Sequence, residues 1–272
     1  MECVENNKYT VKDIAELIEA FAPKQYAMQR DNVGLLTGDE NTIVSTVLVC
    51  CDVDTFVVDE AIKAGAELII SHHPMMFNPI NRLTEKTPQE KALRMLIKND
   101  ISHYASHTNL DVVRGGLCDY MATLLNLTNT TVCEPVCEEN GICHGYGRLC
   151  ELPATVTMES FLNACKTAFN CDGLRYTGNL TDNIKTVAVN TGGGASLVDY
   201  CIENDVDLLV TGDLKYNQFR DAYENGVNII DISHFDSEKI VMDFYEKFFC
   251  KNFEGINLIK SKANVAIVKT FV

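Results

Sequence analysis

The chain has 272 residues, which is enough for one large domain or two ordinary ones, and we expect two. Its 38 Asp and Glu against 23 Lys and Arg give a net charge of -15, and no basic block interrupts this excess, which argues against binding to DNA through its phosphates. No apolar run approaches the roughly 18 residues of a membrane helix, and the opening residues MECVENN do not resemble a signal peptide. We therefore expect a cytoplasmic protein with no membrane partner, and most of the 12 cysteines reduced and buried.

The first half of the chain is patterned as strands separated by helices. A helix is predicted from Thr10, a residue type favoured at N-caps. Apolar periodicity then predicts strand, helix, strand, helix, strand at residues 46–52, 55–64, 66–71, 90–99 and 101–106. Strands rich in Val, Ile and Leu that alternate with helices favour a largely parallel sheet.

The second half repeats this order at a nearly constant offset. TVLV at 46–49 matches TVAV at 186–189, and LIIS at 68–71 matches LLVT at 208–211. We predict two similar, interlocked α/β units related by a pseudo-twofold axis, with mixed, largely parallel sheets flanked by helices. The units are predicted at residues 1–128 and 129–272, without a large inserted domain, because helix and strand periodicity fades over residues 126–143.

Four of the six histidines lie just past predicted strands. His72 and His73 are adjacent, whereas His107 and His234 each precede a carboxylate by four residues, in Asp111 and Glu238. Imidazole and carboxylate ligands suit zinc, iron, manganese or nickel. The alternative is that the tandem pair caps a strand end and the other two are hydrogen-bonded loop residues.

The spacing of the histidines favours two ions over one. Adjacent side chains on an extended segment point in opposite directions, so His72 and His73 would not easily hold one ion together. A carboxylate can bridge two ions about 3.5–4 Å apart, which leaves Asp111 and Glu238 as the possible bridges. Residues past the carboxyl ends of parallel strands gather on one face, so we expect both His-x-x-x-acid segments to converge between the units.

Two further motifs admit two interpretations each. Cys133, Cys137, Cys143 and Cys150 lie near His144, but they include no C-x-x-C pair, and ordinary buried thiols are favoured over a structural zinc site. The run GGG at 192–194 follows a predicted strand and could hold a phosphate on its backbone amides, although a tight turn or close packing is favoured.

Several motifs together resemble the Nif-three-like family, also known as GTP cyclohydrolase I type 2. They are DNVGL at 31–35, SHHP at 71–74, HTNLD at 107–111, TGD at 211–213 and SHFDSE at 233–238, and they span nearly the whole chain. The resemblance implies two divalent ions held by five residues, with Glu238 touching both, and a ring-shaped homohexamer. The implied metal ligands are His72, His73, Asp111, His234 and Glu238. Relatives often have a histidine shortly after the TGD motif, where this chain has Asn217.

The leading functional hypothesis is a metal-dependent hydrolase of a nucleotide or related small molecule, with GTP the named candidate by resemblance. His107 would act beside the ions as a proton shuttle or supporting group, which is the catalytic role we predict for it. The alternative is a metal-bound, ring-shaped scaffold or metallochaperone that binds protein partners. An enzyme would keep a coordination position open to water, whereas a scaffold could close its sites with protein ligands.

Overall fold

The structure is a computed structural model that describes residues 9–269. Contacts divide the chain into two compact units. The first comprises the described residues up to Leu110 together with Val241–Val265, and the second comprises Asp111–Ile240 and the described residues from Ala266. Each unit contains a mixed sheet with helices, which confirms the predicted α/β class. No helix in residues 9–269 is long and apolar enough to cross a membrane.

The first unit is built on a five-stranded sheet of order β13-β4-β5-β6-β2, in which only β2 is antiparallel to its neighbour. A separate two-stranded sheet pairs β1 with β3. The bounds are β1 Tyr9–Thr10, α1 Val11–Phe21, a 3-10 turn Lys24–Tyr26, β2 Gly34–Thr37, β3 Ile43–Val44, β4 Thr46–Cys50, α2 Thr55–Ala64, β5 Leu68–Ser71, α3 Pro88–Lys98, β6 Ser102–Ala105, α4 Thr108–Val112, which crosses the boundary between the units, and, after the second unit, α10 Val241–Asn252 and β13 Asn257–Lys260.

The second unit has a six-stranded sheet of order β7-β8-β10-β11-β12-β9. Its three central strands β10, β11 and β12 are parallel, and antiparallel strands flank them on both sides. The bounds are α5 Leu117–Leu124, β7 Thr128–Glu139, β8 Ile142–Thr157, α6 Met158–Phe169, β9 Arg175–Tyr176, β10 Asn183–Gly193, α7 Leu197–Glu203, β11 Leu208–Gly212, α8 Tyr216–Glu224, β12 Asn228–Asp231 and α9 His234–Glu238.

The central strands of the two sheets follow the repeat seen in the sequence. Val49 pairs with Ile70 in the first unit, and Val189 pairs with Val210 in the second, each 140 residues further on. One face of each sheet is covered by the intervening helices, through buried side chains such as Leu48, Val58 and Ile69 in the first unit. The two units therefore share the order and register of their central strands and the way in which helices cover one face of the sheet.

Local signals explain where the helices begin and end. Thr10 caps α1 by accepting the backbone N–H of Asp13, and Thr157 caps α6 by accepting that of Ser160. Helix α2 ends at Gly65, whose left-handed φ of 67° is a conformation that glycine adopts without strain. The N-cap predicted at Thr10 is confirmed.

The stretch at 126–143 is the clearest local departure from expectation. Helix and strand periodicity fades there in the sequence, which was the reason to predict the boundary between the units in this stretch, but most of it forms the hairpin of β7 and β8. Strand β7 is an edge strand with most residues partly or fully exposed, so it lacks the apolar alternation of a buried strand. Two of the cysteines nearby, Cys133 and Cys150, are buried thiols, and burial raises the pKa of each to about 12.

Candidate metal centre

The tandem histidines of the first unit stand where strand β5 ends. Their backbone N–H groups continue the ladder, since His72 donates to Cys50 O at 3.1 Å and His73 donates to Cys51 O at 2.9 Å. The side chain of His72 is fully buried, whereas that of His73 is 24% exposed. The parallel strand pair thus fixes the backbone of both residues.

Both imidazoles of the tandem pair are oriented through Nδ1. His72 Nδ1 lies 2.9 Å from Ser106 O, and His73 Nδ1 lies 2.7 Å from Asp52 Oδ1. A carbonyl oxygen can only accept, so Nδ1 of His72 carries the proton and Nε2 carries the lone pair. Metal-binding histidines are usually held in this way, with one ring nitrogen donating to an oxygen and the other directed at the ion.

His107 is oriented by Asp31, a residue for which we predicted no role from the sequence. Its Nδ1 lies 2.9 Å from Asp31 Oδ1, and Asp31 also accepts the hydroxyl of Thr108 at 2.5 Å. Burial opposes ionisation of Asp31, but the hydrogen bonds from His107 and Thr108 outweigh it and lower the pKa of this carboxyl to about 2. Asp31 is therefore a fixed negative charge behind His107. Asp31 opens the DNVGL motif, which was the only sequence signal for it.

The three imidazoles form one cluster. The ring centroids of His72, His73 and His107 are 5.2–5.3 Å apart, and one nitrogen of each lies within 4.8 Å of the others. The thiol of Cys51 lies 3.9 Å from Nδ1 of His73. The structure thus brings together the tandem histidines and the residue predicted to move protons.

In the second unit, His234 and Glu238 share the short helix α9. Nε2 of His234 lies 3.0 Å from Glu238 Oε2, and its Nδ1 lies 2.9 Å from Asp213 Oδ2. A spacing of four residues puts both side chains on one face of the helix. The carboxylate of Glu238 is buried, and Asp213 follows strand β11, so the anchor again comes from the end of a neighbouring strand.

Asp111 is held from two directions within the second unit. The hydroxyl of Thr191 donates to Asp111 Oδ1 at 2.7 Å. The guanidinium of the fully buried Arg148 donates to the carbonyls of Val112 and Val113, at 3.3 Å and 3.0 Å, and pairs with Asp119 at 2.8 Å. The backbone that follows Asp111 is therefore anchored, which fixes this carboxylate. Sequence reasoning did not identify Arg148, because a single arginine in a strand gives no signal of burial.

The two remaining histidines have different surroundings. His103 is fully buried, and its Nε2 contacts Ser71 Oγ at 2.8 Å. Desolvation lowers the pKa of His103 to about 3, so its ring stays neutral. His144 accepts the backbone N–H of Arg114 on Nδ1. Nδ1 of His103 has no hydrogen-bond partner within residues 9–269, and Nδ1 of His144 acts as an acceptor, so both differ from the other four rings.

The residues present fit a site for transition-metal ions. Four imidazoles have Nδ1 beside an oxygen, which leaves Nε2 of each ring as the nitrogen that could coordinate an ion or exchange a proton. Two buried carboxylates, of Asp111 and Glu238, supply the negative charge that divalent ions require. Asn217 lies exposed in helix α8.

Comparison with known proteins agrees with the fold and with the family that the sequence resembles. The family model of Duf34/NIF3 (NGG1p interacting factor 3) matches residues 9–265. A Clostridium perfringens protein named GTP cyclohydrolase 1 type 2 homolog is 37% identical over 230 residues, 84% of this chain and 86% of that protein. A Staphylococcus aureus hypothetical protein has a TM-score of 0.88 at 27% identity, covering 97% of this chain and 100% of that one. A Bacillus cereus protein related to NIF3 has a TM-score of 0.85 at 25% identity, with 97% and 98% covered.

Proposed function

Since the chain belongs to the Duf34/NIF3 family, we propose that it binds two divalent transition-metal ions and hydrolyses a nucleotide or related small molecule. The observation that carries the proposal is the shared orientation of four imidazoles, each with Nδ1 beside an oxygen. Histidines that merely fill a core have no reason to share this arrangement, as His103 and His144 illustrate.

The proposed ligands come from both units. The first unit supplies His72 and His73, and the second supplies Asp111, His234 and Glu238. We propose that these five residues would hold two ions, with Glu238 as the candidate bridge, because the tandem histidines resist sharing one ion and a carboxylate can bridge two. Nitrogen and carboxylate donors suit zinc, iron, manganese or nickel.

Bound divalent ions would supply Lewis-acid chemistry, which acidifies water and polarises the bond under attack. The residues around them have separate tasks. Asp31 holds Nδ1 of His107, so Nε2 of that ring is the nitrogen that would accept or return a proton. Thr191 and Asp213 fix Asp111 and His234, which keeps the ligand geometry constant through a reaction.

The substrate class follows from the relatives. Several of them are named GTP cyclohydrolase 1 type 2 homolog, so GTP is the first nucleotide to test. The predicted homohexamer and the cytoplasmic location stay predictions, and native mass spectrometry would test the first of them.

The test is the metal content of protein purified without added metal, followed by hydrolysis of a nucleotide panel that includes GTP. We expect about two ions per chain and turnover of at least one nucleotide. An exposed carboxylate, changed in Glu203→Gln, is the matched control and should leave both unchanged. Fewer than two ions in fully loaded protein would contradict the two-metal proposal. Two ions without turnover across the panel would favour a scaffold or metallochaperone.

A further inference from the structure

The three glycines at 192–194 have three different surroundings. A methyl group on Gly192 would overlap Glu238 Oε1 and lie 3.1 Å from Glu238 Cδ, and one on Gly194 would overlap Thr211 Oγ1. A methyl group on Gly193 would meet nothing within 4 Å. Two of the three glycines therefore leave room for a neighbouring side chain.

Gly192 faces both predicted ligands of helix α9. Besides the overlap with Glu238, an added methyl group would lie 3.3 Å from His234 Cε1. The backbone N–H of Gly192 donates to Ser237 Oγ at 2.8 Å, and that hydroxyl donates to His234 O at 2.6 Å. The backbone of residue 192 is thus hydrogen-bonded to the helix that its missing side chain allows to approach.

The repeat gives an internal comparison for this position. The offset of 140 that relates β4 and β5 to β10 and β11 places Asp52 opposite Gly192 in the alignment of the two units. In the first unit this position carries a carboxylate that holds His73. In the second unit it carries no side chain, and the carboxylate of Glu238 lies against the backbone instead.

We propose that Gly192 is a positioning residue of the candidate metal centre, because its missing side chain sets where the carboxylate of Glu238 lies. This inference rests on the proposed metal centre and adds a residue that would not itself touch an ion. It also gives the glycine run a purpose other than binding phosphate. Gly212 also leaves room for helix α9, since a methyl group there would lie 2.8 Å from the backbone nitrogen of His234.

The first measurement is zinc affinity by competition with a chromophoric chelator. Gly192→Ala should weaken binding at least about 10-fold, the lower end of what loss of a supporting group does, because its methyl group displaces a ligand oxygen. The matched control is Gly193→Ala, which adds the same methyl group to open space and should stay within about twofold of wild type. Equal affinities for the two variants would overturn the proposal.

Backbone strain is the competing explanation, because Gly192 has a φ of 61°. Strain does not depend on the length of the side chain at 238, whereas overlap does. In a Glu238→Asp background the carboxylate is one methylene shorter, so Gly192→Ala should weaken zinc binding much less than it does beside Glu238. An equal loss in both backgrounds would show that strain, not overlap, is responsible.

A crystal structure of metal-free Gly192→Ala separates this inference from the proposed function. We expect the Glu238 carboxylate to be displaced from its wild-type position, and an unmoved carboxylate would overturn the inference whether or not the protein binds metal. If Gly192→Ala alone fails to fold, the double variant with Glu238→Asp should fold, and its failure would also overturn the inference. Wild-type protein that binds no zinc would contradict only the proposed function.

Discussion

The residues at the end of the second central strand differ in chemical type between the two units. In the first unit β5 is followed by His72 and His73, whereas in the second unit the positions 140 residues later are Gly212 and Asp213. The first unit gathers three imidazoles and anchors two of them with carboxylates and the third with a backbone carbonyl. The second places one imidazole beside a carboxylate on α9. The repeated fold thus provides equivalent backbone positions in both units. The side chain at such a position can be a proposed ligand in one unit and a hydrogen-bonding anchor in the other, or it can be absent where the residue is glycine.

The anchors differ between the units as well. His107 directly precedes α4 and His234 begins α9, each after the third central strand of its unit. His107 is held by the buried side chain of Asp31, whereas His234 is held by Asp213, whose side chain is 62% exposed. His73 stands at the place that Asp213 occupies in the other unit. His107 therefore takes its carboxylate from a different segment, the loop before β2.

The largest expected effect separates the bridging carboxylate from a ligand of one ion. Glu238→Gln keeps the size of the side chain but removes its charge, so it should weaken both ions by more than about 100-fold and abolish hydrolysis. His72→Gln should remove one ion only. Metal analysis after dialysis would then give near zero and near one ion per chain. One ion retained in both variants would show that Glu238 is an ordinary ligand.

The second prediction compares the two histidines that precede a carboxylate by four residues. His107→Asn should keep both ions and slow turnover by about 10–100-fold, because the role proposed for His107 is to move a proton without binding an ion. His234→Asn should lose an ion. Metal content and turnover are measured on the same preparations, with His144→Asn as the control, since His144 is not among the proposed ligands and its Nδ1 accepts the backbone N–H of Arg114. Loss of an ion from His107→Asn would make His107 a ligand.

Much of the architecture could be predicted because it depends on local pattern. Helix α2 was predicted at 55–64 and lies at Thr55–Ala64, and strand β5 was predicted two residues too long. The anchors were not predicted, since Asp31 and Arg148 act on residues far away in sequence. Hydrogen bonds between distant segments leave no periodic signal, so the ligands could be proposed from spacing while their supports required the structure.

A third prediction concerns a histidine that supports the fold of the first unit. Ser71 Oγ contacts both His73 O and Nε2 of His103, and burial lowers the pKa of His103 from 6.5 to about 3. Below pH 6.5 His103 is protonated in the unfolded chain, whereas in the folded protein it stays neutral down to about pH 3. The free energy of unfolding therefore decreases as the pH is lowered from 6.5 to about 3.

Between pH 6.5 and pH 5 this difference amounts to about 2 kcal/mol of unfolding free energy. His103→Gln keeps a group that can reach Ser71 and removes the titration, so its stability should fall less over that interval. Urea unfolding at both pH values measures how much the free energy of unfolding changes with pH. The protein is used without metal, because protonation of metal ligands would release ions and add a second pH dependence. Equal slopes for variant and wild type would show that His103 can be protonated in the folded state.

The smallest expected effect tests whether the exposed anchors of the two units are equivalent. Asp52→Asn and Asp213→Asn each keep an oxygen that can accept Nδ1–H of the neighbouring histidine but lose the charge that makes the ring a better donor to metal. Both anchors are more than half exposed, so solvent screens their charge, and each change should weaken zinc binding by about 10-fold or less. Asp205→Asn is the control for Asp213, because both residues have positive φ and Asp205 is exposed. Since His73 and His234 would bind through the same nitrogen and are held by the same kind of group, the two losses should agree within about threefold. A much larger loss for Asp52→Asn would mean that the first unit dominates affinity, and that the comparison between the units holds for geometry but not for energy.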